Sequence, residues 1–156
     1  MKHLAGSRSC IEGAMSLSRF LKPMITVTES EPVAQAACKL RDAHVGCVVV
    51  IRGGHPIGIV TDRDLAVRVV AEGRDPRHTL VSDIVTYDPV IVATTDGIDT
   101  AVTRMREHGV RRLPIVDEAG NVVGMVTADD LVTLLGRELA AVSDGIDRSA
   151  DTCDSR

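Results

Sequence analysis

Gly58-Ile-Val-Thr-Asp-Arg-Asp-Leu65 and Gly124-Met-Val-Thr-Ala-Asp-Asp-Leu131 are one ending written twice in the same chain. Each runs from a glycine through an apolar strand to Thr-x-x-Asp, the pattern of a capped helix start. The copies stay in step when read backwards, at a period of about 65 residues. Val45–Ile51 (VGCVVVI) falls on Val110–Val116 (VRRLPIV). Val33-x-x-Ala36-Ala37-x-x-Leu40 falls on Ile98-x-x-Ala101-Val102-x-x-Met105, and Leu17-Ser-Arg-Phe-Leu-Lys22 on Val81-Ser-Asp-Ile-Val-Thr86.

Each copy predicts the same elements. A short β segment (Ile25–Thr28; Val90–Ala93) precedes a helix with apolar residues at i, i+3, i+4 and i+7. Pro32 suits the first turn of one helix, and Thr95 or Asp96 suits the N-cap of the other. An apolar strand (Cys47–Ile51; Leu113–Val116) turns through a Gly-containing loop into an antiparallel partner (Ile57–Val60; Val122–Val126). A final helix follows Thr61 or Thr127. The fold class is therefore α/β (α+β), β-α-β-β-α twice. The predicted boundaries are a flexible segment over 1–16, a first repeat over 17–72, a linker over 73–80, a second repeat over 81–142 and a polar, disordered tail over 143–156. Repeats this small bury too little surface alone, so they are expected to pack sheet to sheet about a pseudo-twofold axis.

Composition narrows the function. The chain has 156 residues, 44% hydrophobic and 26% charged, with no Trp, one Tyr and one Phe, so the core is aliphatic. A net charge of −4 and the lack of stacking aromatics argue against nucleic-acid binding. No apolar run reaches the roughly 18 residues of a membrane span, and Met1–Met15 has no apolar core of a secretory signal. Cys10, Cys38, Cys47 and Cys153 form no Cys-x-x-Cys pair and read as free thiols in a reducing cytoplasm. His44, His55, His78 and His108 lack metal-ligand spacing. With no nucleophile motif, P-loop or metal cluster, the chain does not read as an enzyme.

The doubled ending inside a doubled β-α-β-β-α order resembles a tandem pair of CBS domains, the regulatory unit named after cystathionine β-synthase. The resemblance covers roughly residues 17–140. It is closest in kind to the stand-alone bacterial pairs, including the hypoxia-response type. It implies a regulatory module that binds an adenine nucleotide or adenosyl compound (AMP, ADP, ATP, NAD or S-adenosylmethionine) between its repeats. The nucleotide would be a regulatory ligand rather than a cofactor. The resemblance also implies a homodimer and an effector protein as partners. An interaction module with empty or vestigial clefts is the alternative.

In that family the Asp of the ending accepts from both ribose hydroxyls with the Thr alongside, which implies ribose binding by Thr61, Asp64, Thr127 and Asp130. Read on their own residues, the same four make two capping boxes, and the two roles are compatible. Gly58 and Gly124 would let a backbone or a ligand approach the second strand. Arg111 and Arg112 sit where the family binds phosphate, a task suited to guanidinium forks, with Arg63 as an additional contact. The first repeat has Val45-Gly46-Cys47 at that place, so two unequal clefts are expected. Asp130 is paired with Arg111 and Arg112 because all three share a repeat. Adenine would lie between Val27, Val45, Ile59, Val92, Val110 and Met125, each of which reads equally well as core. Asp62 and Asp129 read as solvated acids at helix starts.

Overall fold

The computed structural model describes residues 16–21 and 24–151, with side chains as far as residue 143. A short 3-10 turn, Leu17–Phe20, leads into β1 (Thr26–Val27), α1 (Val33–Ala43), β2 (Cys47–Arg52) and β3 (His55–Thr61). α2 (Asp62–Leu65) then runs on as a π-helical turn, Ala66–Val70. The second repeat opens with a 3-10 turn, Val81–Asp83, and β4 (Thr86–Tyr87). It continues with β5 (Val92–Ala93), α3 (Ile98–His108), β6 (Arg112–Val116), β7 (Val122–Thr127) and α4 (Ala128–Asp151).

The mixed α/β architecture is the expected one, and its elements have local causes. α1 buries Val33, Ala36 and Leu40, and α3 buries Ala101 and Met105, one stripe each. α1 ends on His44 at φ 53 and α3 on Gly109 at φ 63, both left-handed, the geometry that closes a helix C-terminus. Pro32 is the N-cap residue of α1, one position ahead of its first turn. Gly97, rather than Thr95 or Asp96, caps α3. Asp96 is drawn away because its carboxylate accepts the Ala93 N–H at 2.9 Å and faces Arg104 at 3.6 Å. Val102, on the apolar pattern of α3, is half exposed.

Two sheets result. β1-β2-β3-β4 pairs parallel then antiparallel, and β5-β6-β7 repeats the first three strands of that order. They meet through their hairpins. The Val122 N–H donates to Gly54 O at 3.1 Å, His55 Nδ1 lies 3.0 Å from Gly120 O, and Cys47 Sγ lies 3.4 Å from Met125 Sδ. β4 was not expected from the sequence. It pairs Tyr87 with Gly58 and Thr86 with Ile59.

The opening turn of each repeat is exchanged. Val81, Ile84 and Val85 belong to the core built from Val27, Leu40, Val48, Val50 and Val60 of the first repeat. Leu17 and Phe20 belong to the core of Val92, Met105, Leu113, Ile115 and Val126 in the second. The exchange is reciprocal, as a twofold relation requires, and the cores therefore cross the boundaries 17–72 and 81–142. Gly58 and Gly124 are where it happens. A β-carbon on Gly58 would run into Val85 Cγ2 and meet Thr86 O at 2.9 Å. One on Gly124 would meet Phe20 O at 2.7 Å. These glycines admit a crossing backbone.

At the C-terminus, α4 continues through Asp151, where the sequence reading ends the second repeat at 142 and expects a disordered tail. No proline interrupts residues 143–151, and an established helix gains a hydrogen bond with each residue it adds. Of the expected flexible segment 1–16, Ser16 bridges Gly97 and caps the first turn, and residues 1–15 lie outside the described residues. Among the described residues no helix is long and apolar enough to cross a membrane.

Candidate functional site

Both Thr-x-x-Asp endings fold as the capping reading requires. The Thr61 N–H and Oγ1 donate to Asp64 Oδ2 at 2.9 and 2.6 Å, and the Asp64 N–H donates back to Thr61 Oγ1 at 3.2 Å. Thr127 and Asp130 repeat this at 3.1, 2.6 and 3.1 Å. One carboxylate oxygen in each ending is thus held by the cap, and the other points elsewhere. Asp64 Oδ1 lies 3.3 Å from Arg68 Nε, four residues on. At the corresponding place after Asp130 stands Leu134, and Asp130 Oδ1 has no hydrogen-bond or ion-pair partner among the described residues. Arg68 also donates to Ile84 O and, at 3.2 Å, to Thr86 Oγ1, which fastens the π-helical turn to the exchanged segment.

Each acid heads a cavity whose far wall belongs to the other repeat. Thr61 and Asp64 line a hollow of about 250 Å³ with Ile59, Tyr87, Pro89 and Val90, closed by Val110, Arg111 and Arg112. Thr127 and Asp130 line one of about 330 Å³ with Met125 and Asp129, closed by Met24, Ile25, Val45, Gly46 and Cys47, and Arg112 reaches into it as well. This revises the sequence pairing. Arg111 stands with Asp64 rather than with Asp130, because the apposed repeats present the strand mouth of one to the helix start of the other.

Of the aliphatic candidates, Ile59 and Val110 line the Asp64 cavity, and Val45 and Met125 line the Asp130 cavity. Val27 and Val92 line neither. They are 1% and 0% exposed inside their own cores, and Ile25 and Val90, two residues earlier, take the cavity positions. Arg63 is exposed on the first turn of α2 and lines neither cavity. Asp130 also borders a separate open hollow with Arg19, Phe20 and Arg137.

Arg68, Tyr87 and Cys47 are further contributors that were not singled out from the sequence. Arg68 carried a usable signal, since an acid and a base four apart on a helix attract. Tyr87 did not. Its hydroxyl donates to Glu29 Oε1 at 2.9 Å, and Arg52 Nη2 holds Glu29 Oε2 at 2.6 Å. The hydrogen bond from Arg52 keeps the Glu29 carboxyl below its ordinary range, and the bond to that carboxylate pushes the Tyr87 phenol up. Cys47 was read only as a free thiol, yet it lines the Asp130 cavity. Burial pushes its thiol above the ordinary value of 9.0, a nearby Arg112 pulls it down in part, and Asp62 raises it.

The sequence model of the CBS domain matches residues 18–71 and 81–137. An uncharacterised protein of Methanopyrus kandleri is 36% identical over 112 residues, which are 71% of this chain and 57% of that protein, so the chain spans little more than half of that relative. The solved structure of a protein with CBS domains from Burkholderia ambifaria superposes with a TM-score of 0.69 at 31% identity, over 77% of this chain and 93% of that one. A CBS domain protein from Pyrobaculum aerophilum, complexed with AMP, superposes with a TM-score of 0.70 at 28% identity, over 81% and 99%.

Proposed function

The chain belongs to the CBS domain family, and from that premise we propose that it is a sensor rather than a catalyst. It binds an adenine nucleotide or adenosyl compound in the clefts between its repeats and passes the change to an effector protein. The observation that carries the reading is the make-up of the cavities. In each, a carboxylate with one oxygen directed away from its cap stands opposite a wall of the other repeat, so a ligand there touches both halves at once. A cis-diol needs an acceptor with spare lone pairs, and each carboxylate oxygen has two. Arg111 and Arg112 supply the forks for phosphate. The AMP complex of the Pyrobaculum relative supports the ligand class. A homodimer formed through the exposed helical faces completes the proposal.

Thermal melts with AMP, ADP, ATP, NAD, S-adenosylmethionine and adenosine test it. A ligand at 100 times its Kd stabilises the folded state by about 2.7 kcal/mol and raises Tm by several degrees. An unchanged Tm with all six at millimolar concentration would favour an interaction module with vestigial clefts.

A further inference from the structure

The two clefts share one side chain. Arg112 lines both the Asp64 and the Asp130 cavity. Its guanidinium crosses to the first repeat, where a β-carbon on Gly46 would lie 3.1 Å from Nη2 and 3.5 Å from Asp62 Oδ2. The clefts differ in what else they offer an anion. The Asp64 cleft adds Arg111. Each cleft carries two carboxylates, Asp64 and Asp88 in the one and Asp129 and Asp130 in the other, but the Asp130 cleft has no second cation among its described lining residues. Arg19 and Arg137 approach Asp130 from the separate outer hollow. Arg111 Nη2, in turn, lies 3.3 Å from Asp129 Oδ1.

Resting on the nucleotide reading, we propose that the arginine pair couples the clefts. A phosphorylated nucleotide in the Asp64 cleft weakens the Asp130 cleft toward a second phosphorylated nucleotide and leaves it unchanged toward adenosine. The reason is charge. One guanidinium carries a single positive charge, so phosphates in the two cavities compete for it. When Arg112 turns to a phosphate beside Asp64, the Asp130 cleft loses the cation in its lining. When Arg111 does the same, Asp129 loses its partner. Among its described lining residues the Asp130 cleft then keeps no cation to offset its two carboxylates, and like charges disfavour a phosphate there. Adenosine carries no phosphate, draws neither arginine away and meets no such repulsion.

Equilibrium titrations of the whole chain with AMP and with adenosine test this. Two variants close the Asp64 cleft: Asp64→Ala removes its carboxylate, and Ile59→Trp fills the cavity while leaving the cap intact. The second AMP step of the unsubstituted chain is expected to be at least about fivefold weaker than AMP binding to either variant. The second adenosine step is expected to match adenosine binding to the variants, and Arg112→Ala is expected to shrink the AMP gap. Equal AMP affinities in the chain and in both variants overturn the coupling and leave the nucleotide reading standing. A chain that binds neither AMP nor adenosine overturns the coupling, and one that also fails to respond to the other four ligands in the thermal melts overturns the nucleotide reading.

Discussion

At the scale of the residue, Asp64 and Asp130 show how one side chain serves a cap and a cleft. One oxygen closes the helix start, and the other is directed away from the cap, toward Arg68 in Asp64 and without a hydrogen-bond or ion-pair partner among the described residues in Asp130. The cap was legible because its partners lie three residues apart. The cleft was not, because its opposite wall comes from the other repeat and no local pattern encodes which repeat supplies it. The placement of Arg111 beside Asp64 sets a sharper expectation than the sequence allowed. Arg111→Ala should lower AMP affinity at least about tenfold, the loss of one charge-assisted hydrogen bond of roughly 1.5–3 kcal/mol, and leave adenosine affinity unchanged. Calorimetric titration with the two ligands side by side measures it, and an equal loss for both would remove Arg111 from phosphate binding. Cys47 gives a second expectation. The thiolate is the form that reacts, and burial holds this thiol protonated beyond the ordinary 9.0. At pH 8 iodoacetamide should label the exposed Cys38 well before Cys47, as peptide mass mapping would show. The ionisation also has a stability sign. A thiol raised in the folded state keeps its full contribution below the unfolded value and loses it as pH rises through the folded one, so Cys47 weakens the fold only on the alkaline side.

At the scale of the element, the decisive objects are the opening turns and the glycines beneath them. The likeness of Leu17-Ser-Arg-Phe20 to Val81-Ser-Asp-Ile84 was plain in the sequence, but each turn was assigned to its own repeat. Contacts made within a repeat and contacts made by exchange satisfy the same apolar pattern, so periodicity cannot separate them. The strands and helices were legible for the opposite reason, since their periods are set by bonds within the element. The exchange predicts where damage lands. Gly58→Ala and Gly124→Ala force a β-carbon against backbone at 2.9 and 2.7 Å, and each should cost about 1–3 kcal/mol in urea denaturation. Leu17→Ala, at a side chain that is fully buried, should cost about 2–5 kcal/mol. In hydrogen exchange the lost protection should fall on β6 and β7 of the distant repeat and spare β2 and β3. Loosening of the adjacent β2 and β3 instead would contradict the exchanged packing.

At the scale of the whole molecule, the described residues include an exposed apolar surface. Val132, Leu135, Leu139 and Val142 run as a stripe along α4 at 61–69% exposure, and Val67 and Val70 stand exposed on the corresponding helix of the first repeat. The spacing of three and four residues is that of a helix seam. With a second copy as its cover, light scattering should give twice 16.6 kDa, and Leu139→Glu with Val132→Glu should return the mass to that of one chain. The reciprocal exchange bears on the protein's birth as well. During translation the first core cannot close until Val85 has left the ribosome. Leu17 and Phe20 emerge first and must wait for Val126, some hundred residues later, or roughly 5–20 s at the pace of synthesis. For that interval the earliest-made apolar turn has no seat, and a nascent chain stalled midway would offer it to any chaperone at the exit tunnel.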